Sequence, residues 1–162
     1  MWASKRIFLR QLQMADLPYL LQWENDPENW EVSDTTTPYT EAEMIDFIVE
    51  QNYFLSTGQL RLMICLQKKD LPIGAIDLFD IDPIQRSAGV GILIQEKKFR
   101  RKGYASEALI TLRNFCINEL KLEHLHCCIH TTNLASIQLF LNCGFKQISE
   151  KEGIIQFELI LI

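Results

Sequence analysis

A basic turn is the feature of this sequence with the clearest chemical meaning. Five of the six residues in 97–102 are Lys or Arg, although the whole chain carries a formal net charge of −5. Gly103-Tyr104-Ala105 follows, an apolar stretch precedes the turn at 90–94, and helical periodicity begins at Ser106. A strand, a glycine turn and a helix start in this order form an anion site, because free N–H groups at the helix start point at the anion. The turn therefore predicts a specific ligand that carries phosphate.

Acid–base chemistry has four candidate side chains, which are Asp77, Asp80, Asp82 and His130. If the strand continues, its alternation places Asp80 and Asp82 on one face. These two carboxylates could hold a cationic amine or relay its proton through water. The alternative is that they are solvated residues leading into a turn at Pro83. His130 ends an alternating segment just before a predicted helix.

No metal site is expected, although His124, His126, Cys128 and His130 share one face of a predicted strand. Alternate residues of a strand lie roughly 6.5–7 Å apart, so four in line cannot converge on one tetrahedral ion. The five cysteines form no C-x-x-C pair, which argues against a disulfide framework and a zinc knuckle. A reducing cytoplasm fits this cysteine usage.

Length and charge narrow the class of protein further. The 162 residues are most simply one domain, 1–162, with a substantial core. No apolar run approaches the roughly 20 residues that span a bilayer, and the first residues are too polar for a signal peptide. An acidic chain with one compact basic turn is not expected to bind nucleic acid or a membrane. The alternative for the turn is a solvated or nucleic-acid-binding patch, which leaves Gly103 and the following helix unexplained.

The elements that must position these residues follow from hydrophobic periodicity and capping. Their order is β-α-α-β-β-β-α-β-α-β-β, which predicts an α/β (α+β) mixed sheet with helices on its faces. Strands are predicted at 7–11, 61–66, 73–79, 89–95, 124–130, 145–149 and 154–161, and helices at 16–23, after the capping box at Thr40, at 106–120 and at 135–142.

Two motifs resemble the GNAT superfamily, the acetyl-CoA-dependent N-acetyltransferases. Arg100-x-x-Gly103-x-Ala105 is similar to its pyrophosphate loop, R/Q-x-x-G-x-G/A. The segment 133–145 resembles its second signature, N-x-x-S/A-I-x-L-Y-x-x-x-G-F, at the expected distance from the first. Leu9-Arg10 and Pro38-Tyr39-Thr40 resemble the branch that holds spermidine and ribosomal-protein acetyltransferases. The likeness runs from about Ile7 to the end and implies a GNAT fold with a central, mostly antiparallel sheet flanked by helices.

The resemblance implies acetyl-CoA as cosubstrate, with no metal. It places the pyrophosphate on the basic turn and the pantetheine arm along the strand at 91–94, and it makes the backbone N–H of Leu93 or Ile94 the oxyanion donor. It also implies that the Asn133 amide holds the arm or the adenine side. From local sequence alone, Asn133 is a helix N-cap, and the two roles are compatible. The cofactor-binding residues that the resemblance implies are Ile92, Leu93, Ile94, Arg100, Arg101, Lys102, Gly103, Tyr104, Ala105, Asn133, Ser136 and Phe140.

Phe140 departs from the family pattern. Many relatives have a tyrosine there that protonates the leaving thiolate, and phenylalanine cannot donate a proton. The carboxylate that some relatives carry at the start of the CoA-facing strand is also absent, since Ser87-Ala88-Gly89 stands there. Water could reprotonate the thiolate, or the chain could be a non-catalytic acyl-CoA-binding module of the same fold.

The acceptor side is expected at Trp30, Glu31, Tyr39 and Asp77. Aromatic rings beside carboxylates suit a cationic amine through cation–π contacts and charge pairing. The resemblance implies acetyl transfer to a primary amine, by direct attack in a ternary complex. A polyamine, a protein N-terminus, an amino sugar and a small amine all remain open as acceptors. A homo-oligomer also remains open.

Overall fold

One mixed sheet organises the computed structural model, which describes residues 1–29 and 37–161. Within these residues it contains eight strands. The strands are β1 (Trp2–Ala3), β2 (Ile7–Gln11), β3 (Leu60–Leu66), β4 (Leu71–Asp82), β5 (Ser87–Ile94), β6 (His124–His130), β7 (Lys146–Lys151) and β8 (Ile154–Ile160).

The strand order is β1-β2-β3-β4-β5-β6-β8-β7. Neighbouring strands are antiparallel except for β5 and β6, which run parallel and are joined by a helical crossover. The described residues form five α-helices, and none is long and apolar enough to cross a membrane. The helices are α1 (Leu17–Glu24), α2 (Glu41–Glu50), α3 (Phe54–Thr57), α4 (Tyr104–Asn118) and α5 (Leu134–Asn142), with single 3₁₀ turns at Met14–Asp16, Pro27–Asn29, Gln51–Tyr53 and Lys97–Phe99.

The predicted fold class and order of elements are confirmed, with two short additions. β1 has two residues and α3 has four, which is too short for either to show a period in the sequence. The strand β4 also runs past the predicted limit to Asp82, because a β-bulge after Phe79 bends it rather than ending it.

Helices cover both faces of the sheet. The apolar stripe of α4 packs against one face, and α1 and α2 pack against the other face over β2 and β3. The stripe of α4 consists of Ala108, Leu109, Leu112, Phe115 and Cys116. On the other face, the side chains from α1 and α2 are Leu20, Trp23, Met44 and Ile48, and they pack against Phe8, Met63 and Cys65 of β2 and β3.

A side-chain cap fixes the start of α2, and an ion pair holds the residue before α1. Thr40 Oγ1 accepts a hydrogen bond from the N–H of Glu43 at 3.2 Å, as its capping-box pattern predicts. Asp16 precedes α1, and its carboxylate accepts two hydrogen bonds from the Arg10 guanidinium, each 2.8 Å long.

The parallel strands β5 and β6 separate after a short contact. Ser87, Ala88 and Gly89 pair with residues 124–126, and no pairing follows toward the carboxyl ends. The edge of β5 that faces β6 therefore has no strand partner beyond Gly89. This divergence opens a cleft in the middle of the sheet, at the switch point where α/β sheets place ligands.

Candidate active site

The cleft between β5 and β6 holds a cavity of about 320 Å³. Gly91, Ile92 and Leu93 line it from β5, and residues 127–130 line it from β6. Asn133 and Ser136 at the start of α5 line it as well. Of the residues that the family resemblance assigns to the pantetheine arm, Ile92 and Leu93 border the cavity, and Ile94 is buried beside them.

Gly91 leaves room for a ligand on this strand. A Cβ added to it would meet nothing within 4 Å. Gly91 pairs in register with Asp77 on the neighbouring strand β4. Such a Cβ would therefore lie on the same face of the sheet as the Asp77 side chain, which lines the cavity. An unpaired strand edge beside this open space fits an extended chain that hydrogen-bonds to the backbone, as the pantetheine arm of acetyl-CoA would.

The basic turn ends at a helix N-terminus, as its sequence predicts. Gly103 is the N-cap of α4 with φ of +84°, a left-handed conformation that glycine adopts without steric cost. The first intrahelical bond runs from the N–H of Glu107 to the carbonyl of Gly103. The amides of Tyr104 and Ala105 in the first turn therefore have no acceptor within the helix and can bind an anion.

The basic side chains of the turn have different partners. Arg100 donates from Nε to the carbonyl of Ile94 at 2.7 Å and from Nη2 to that of Gln95 at 3.2 Å, so its guanidinium holds the end of β5. Lys97 lies 3.1 Å from a Glu28 carboxylate oxygen. Arg101 and Lys102 are exposed and form no ion pair within the described residues.

A clamp that the sequence analysis missed holds this turn from the N-terminal segment. Arg6 donates to the carbonyl of Lys102 at 2.9 Å, stacks 4.4 Å above the Tyr104 ring and pairs with Glu107 at 2.8 Å. Glu107 also accepts from the Ser4 hydroxyl and from the Arg6 backbone N–H. Burial alone would raise the pKa of Glu107, but these hydrogen bonds lower it. The local sequence gives no signal for the clamp beyond an acidic residue in the first turn of α4.

The second motif forms one wall of the cavity. Asn133 accepts a hydrogen bond from the N–H of Ser136 at 3.2 Å and caps α5, as predicted. Phe140 lines the cavity but is 3% exposed, and its ring packs edge-to-face on Phe145 at 4.9 Å. This position therefore supplies an apolar wall and no proton donor.

Asp80 and Asp82 are not brought to the cavity. Asp80 lies in the bulge with φ of +48°, so the alternation that predicted a shared face is broken there. The carboxylate of Asp82 accepts from the N–H groups of Ile84 and Gln85 at 2.9 and 3.0 Å. The expected shared face is therefore wrong, and Asp82 stabilises the turn after β4, as in the alternative of residues leading into a turn at Pro83. Of the candidate acid–base residues, His130 lines the cavity at the end of β6, and Asp77 lines it from β4.

The other side of the cavity is formed by α1 and the 3₁₀ turn that follows it. Trp23, Glu24 and Asn29 line it there. Asn29 donates to Gln95 at 2.7 Å, which links this side to the end of β5. The Nε1–H of Trp23, a side chain 4% exposed, has no hydrogen-bond partner among the described residues.

A second cavity of about 340 Å³ lies beside the first, under α2. Tyr39, predicted on the acceptor side, lines it together with Glu43 and Phe47. Trp30 and Glu31, also predicted there, fall outside the described residues.

Arg61 lies between the two cavities and was not predicted. Its guanidinium donates to both carboxylate oxygens of Asp77 at 2.8 and 2.7 Å, and to Glu24 on the other side. Burial alone would lower the pKa of Arg61, but the two carboxylates raise it above its usual value. The carboxylate of Asp77, predicted to bind substrate, is thus already paired with a cation.

The buried cysteines do not supply a nucleophile. Burial raises the pKa of Cys65 to about 11 and that of Cys116 and Cys127 to about 12. These thiols are protonated near neutral pH and inert, since the thiolate is the reactive form. Burial likewise raises the pKa of Cys143. Within the described residues, no three His, Cys, Asp or Glu side chains converge to hold a metal ion.

Comparison with known proteins identifies the family of this chain. The family model of the acetyltransferase (GNAT) domain matches residues 6–146. An uncharacterised N-acetyltransferase of Bacillus licheniformis, p20, is 28% identical over 155 residues, which cover 94% of this chain and 84% of that protein.

Two solved structures show the same fold. The spermidine N-acetyltransferase of Vibrio cholerae, solved with CoA and spermine, superposes with a TM-score of 0.84 at 17% identity and covers 98% of this chain and 97% of its own. A GNAT-family acetyltransferase of Bacillus anthracis gives a TM-score of 0.79 at 15% identity, with 99% and 98% covered.

The chain belongs to the GNAT acetyltransferase family. The resemblance to that superfamily is therefore confirmed, and structural relatives include spermidine and ribosomal-protein acetyltransferases.

Proposed function

We propose that this protein transfers an acetyl group from acetyl-CoA to a primary amine by direct attack in a ternary complex. The observation that carries the proposal is the cleft between β5 and β6. Its unpaired strand edge at Gly91–Leu93 lies beside open space, and an anion-binding helix start follows in sequence after β5. One extended ligand with a phosphate-bearing end fits both features.

Different residues around the cleft would bind different parts of acetyl-CoA. The amides of residues 101–105, with Arg101 and Lys102, would hold the pyrophosphate. Arg100 and the Arg6 clamp would fix this turn in place rather than contact phosphate. Asn133 and Ser136 would border the arm from the α5 side, and Phe140 would pack against it. Acetyl-CoA supplies the thioester carbonyl that the amine attacks.

The reaction needs a route for protons. A primary ammonium, with a pKa of about 10.4 in the lysine case, must lose a proton before its nitrogen lone pair attacks the thioester carbon. The nitrogen–carbon bond forms, the nitrogen gives up a second proton, the carbon–sulfur bond breaks, and the thiolate takes up one proton. The backbone N–H of Leu93 would stabilise the negative charge on the carbonyl oxygen. Phe140 can neither accept nor donate the protons, so we assign their transfer to water and His130, the imidazole that lines the cavity.

The acceptor is proposed to be cationic before it reacts. Glu24, Glu43 and Asp77 place three carboxylates around the two cavities on the α1 and α2 side, against one guanidinium. The related V. cholerae enzyme, whose structure contains spermine, supports an amine acceptor.

A second candidate function is a non-catalytic acyl-CoA-binding module. The buried, apolar environment of Phe140 favours it, because no side chain at this position can protonate the thiolate. It predicts that the protein binds acetyl-CoA and turns over no amine.

Other expectations remain proposals of ours. We treat residues 1–162 as one domain, and the cysteine usage supports a reducing cytoplasm. A spermidine N-acetyltransferase of V. cholerae has a dodecameric structure, which supports a homo-oligomer here.

The deciding experiment is incubation with acetyl-CoA and a panel of amines, with products identified by mass spectrometry. Thiol reagents are unsuitable because the chain has five cysteines. We expect one amine class to gain the mass of an acetyl group in place of a hydrogen. Binding of acetyl-CoA by calorimetry without any product across monoamines, polyamines and peptides would favour the binding module. Absence of acetyl-CoA binding would refute both candidates.

A further inference from the structure

We propose that Arg61 determines which amines this enzyme accepts, by acting as an internal cation that excludes acceptors with a second positive charge. The proposal rests on the proposed function and narrows its acceptor to a monoamine. Arg61 lies in the wall that the two cavities share, and that wall also contains Glu24 and Asp77.

The position of Arg61 is held from several sides. Arg61 and Asp77 are directly paired in register across β3 and β4, so their side chains leave the sheet on the same face. Two parallel hydrogen bonds of 2.8 and 2.7 Å join the guanidinium to that carboxylate, which is the geometry of a strong bidentate pair. Its third nitrogen donates to Glu24, and its carbon lies 5.1 Å from the centre of the Phe47 ring. The Arg61 side chain is 16% exposed.

The charges around the two cavities explain the consequence. Among the described residues that line them, the carboxylates are Glu24, Glu43 and Asp77, and the Lys or Arg residue is Arg61. Arg61 pairs with two of these three carboxylates, those of Glu24 and Asp77, and not with Glu43. Replacing Arg61 by a neutral side chain leaves the carboxylate of Asp77 without its cation.

A second ammonium group would have to compete with Arg61 for the same carboxylates. The guanidinium is part of the chain and already oriented toward Glu24 and Asp77. An incoming ammonium must lose its hydration shell before it can bind the same carboxylates. The reacting amine needs one favourable site, and a diamine or triamine needs two. Arg61 occupies the carboxylates that a second ammonium group would need, so the shared wall selects against polycations.

The test compares butylamine with putrescine, which have the same four-carbon chain and differ by one amine. The measured quantity is the ratio of kcat/KM for putrescine to kcat/KM for butylamine, in the wild type, Arg61→Met and Arg61→Lys. We expect the wild type to favour butylamine and Arg61→Met to raise the ratio by about tenfold. Arg61→Lys keeps the positive charge although it loses the bidentate geometry, and it should raise the ratio by no more than about threefold.

Arg10→Met is the matched control. Arg10 also makes a bidentate pair with a carboxylate, that of Asp16, and its side chain is likewise 16% exposed. It lines neither cavity. This variant should lose stability as Arg61→Met does, because each removes the cation of a bidentate pair, but its putrescine-to-butylamine ratio should not change.

Two further measurements keep the proposal testable. If Arg61→Met does not fold, Asp77→Asn retains Arg61, removes one carboxylate and should lower the ratio by about fivefold. If the wild type acetylates no amine, the proposed function fails, and the role of Arg61 is then tested by calorimetry on the CoA-bound protein. Arg61→Met should bind putrescine about tenfold more tightly than the wild type does. An unchanged ratio and unchanged putrescine binding in these variants would overturn the proposal.

Discussion

The α-carbon of Gly74 lies against the carbonyl oxygen of Leu93 across the β4–β5 pair. A Cβ built on Gly74 would be 2.3 Å from that oxygen and 2.9 Å from the α-carbon of Ile94, both backbone atoms. Leu93 is the residue whose N–H we assign to the thioester oxygen. The absence of a side chain at position 74 therefore allows β5, which forms one wall of the cleft, to lie this close to β4.

Gly74→Ala is expected to lower the free energy of unfolding by about 2–3 kcal/mol, because backbone atoms of β5 must move to admit the methyl group. Urea denaturation measures this change. A variant as stable as the wild type would show that β5 shifts freely, and the position of Leu93 would then not depend on Gly74.

Gly91→Ala is the matched substitution on the cavity side. Because the new methyl group meets nothing within 4 Å, the free energy of unfolding should change by less than about 0.5 kcal/mol. The methyl group enters the proposed path of the pantetheine arm, so the dissociation constant for acetyl-CoA should rise about tenfold. Calorimetry and urea denaturation separate the two effects. An unchanged affinity would place the arm elsewhere.

Substitutions of Asn133 separate its capping role from its ligand role. Asn133→Ala removes the hydrogen bond to the N–H of Ser136 and should cost about 1 kcal/mol of stability. Asn133→Ser retains a cap and should keep most of that stability. Both variants should bind acetyl-CoA more weakly by calorimetry if the amide contacts it, whereas normal binding by Asn133→Ser would leave only the cap.

The Glu107 clamp should make stability depend on pH. In the folded chain the pKa of Glu107 is lowered below its usual value of 4.5. The carboxylate therefore stabilises the fold at pH values above 4.5, and this contribution is lost as the pH falls through the folded-state pKa. Glu107→Gln should therefore be less stable than the wild type at neutral pH, and the difference should shrink on acidification to about pH 3. Urea denaturation across this range measures it. A difference that stays constant with pH would mean that the carboxylate charge is not involved.

His130→Gln tests the proposed proton transfer. If His130 relays protons, kcat should fall by about tenfold or more, while the affinity for acetyl-CoA remains that of the wild type. Steady-state kinetics and calorimetry provide the two quantities. Cys128→Ser on the same face of β6, also at the cavity, is the control and should keep its kcat. An unchanged kcat in His130→Gln would leave water as the proton carrier.

Local patterns in the sequence were sufficient for most of the fold. The alternation at 124–130 gave β6 its observed bounds, and Thr40 and Asn133 cap the helices that follow them. The basic turn with Gly103 predicted a helix directly after it, which begins at Tyr104, two residues before the predicted start. These features depend on residues within a turn or two of each other, so a single sequence contains the information that determines them.

Predictions that depended on continuing a local pattern through an irregularity were less successful. Asp80 and Asp82 were expected on one face, but the bulge after Phe79 changes the direction of the strand. A bulge depends on the pairing of β4 with β5, and the residues of β4 alone do not show that pairing.

By itself, the sequence determined the basic turn before a helix, the order of the longer strands and helices, and the absence of a proton donor at Phe140. Only the tertiary structure decided which distant charges meet. Arg61 is 37 residues from Glu24, and Arg6 is 101 residues from Glu107, yet each pair is in contact. The separation of β5 from β6, which opens the cleft, is likewise a property of the assembled sheet. The physical reason is that backbone propensity and capping act within a few residues, whereas charge pairing and clefts depend on which strands and helices pack side by side.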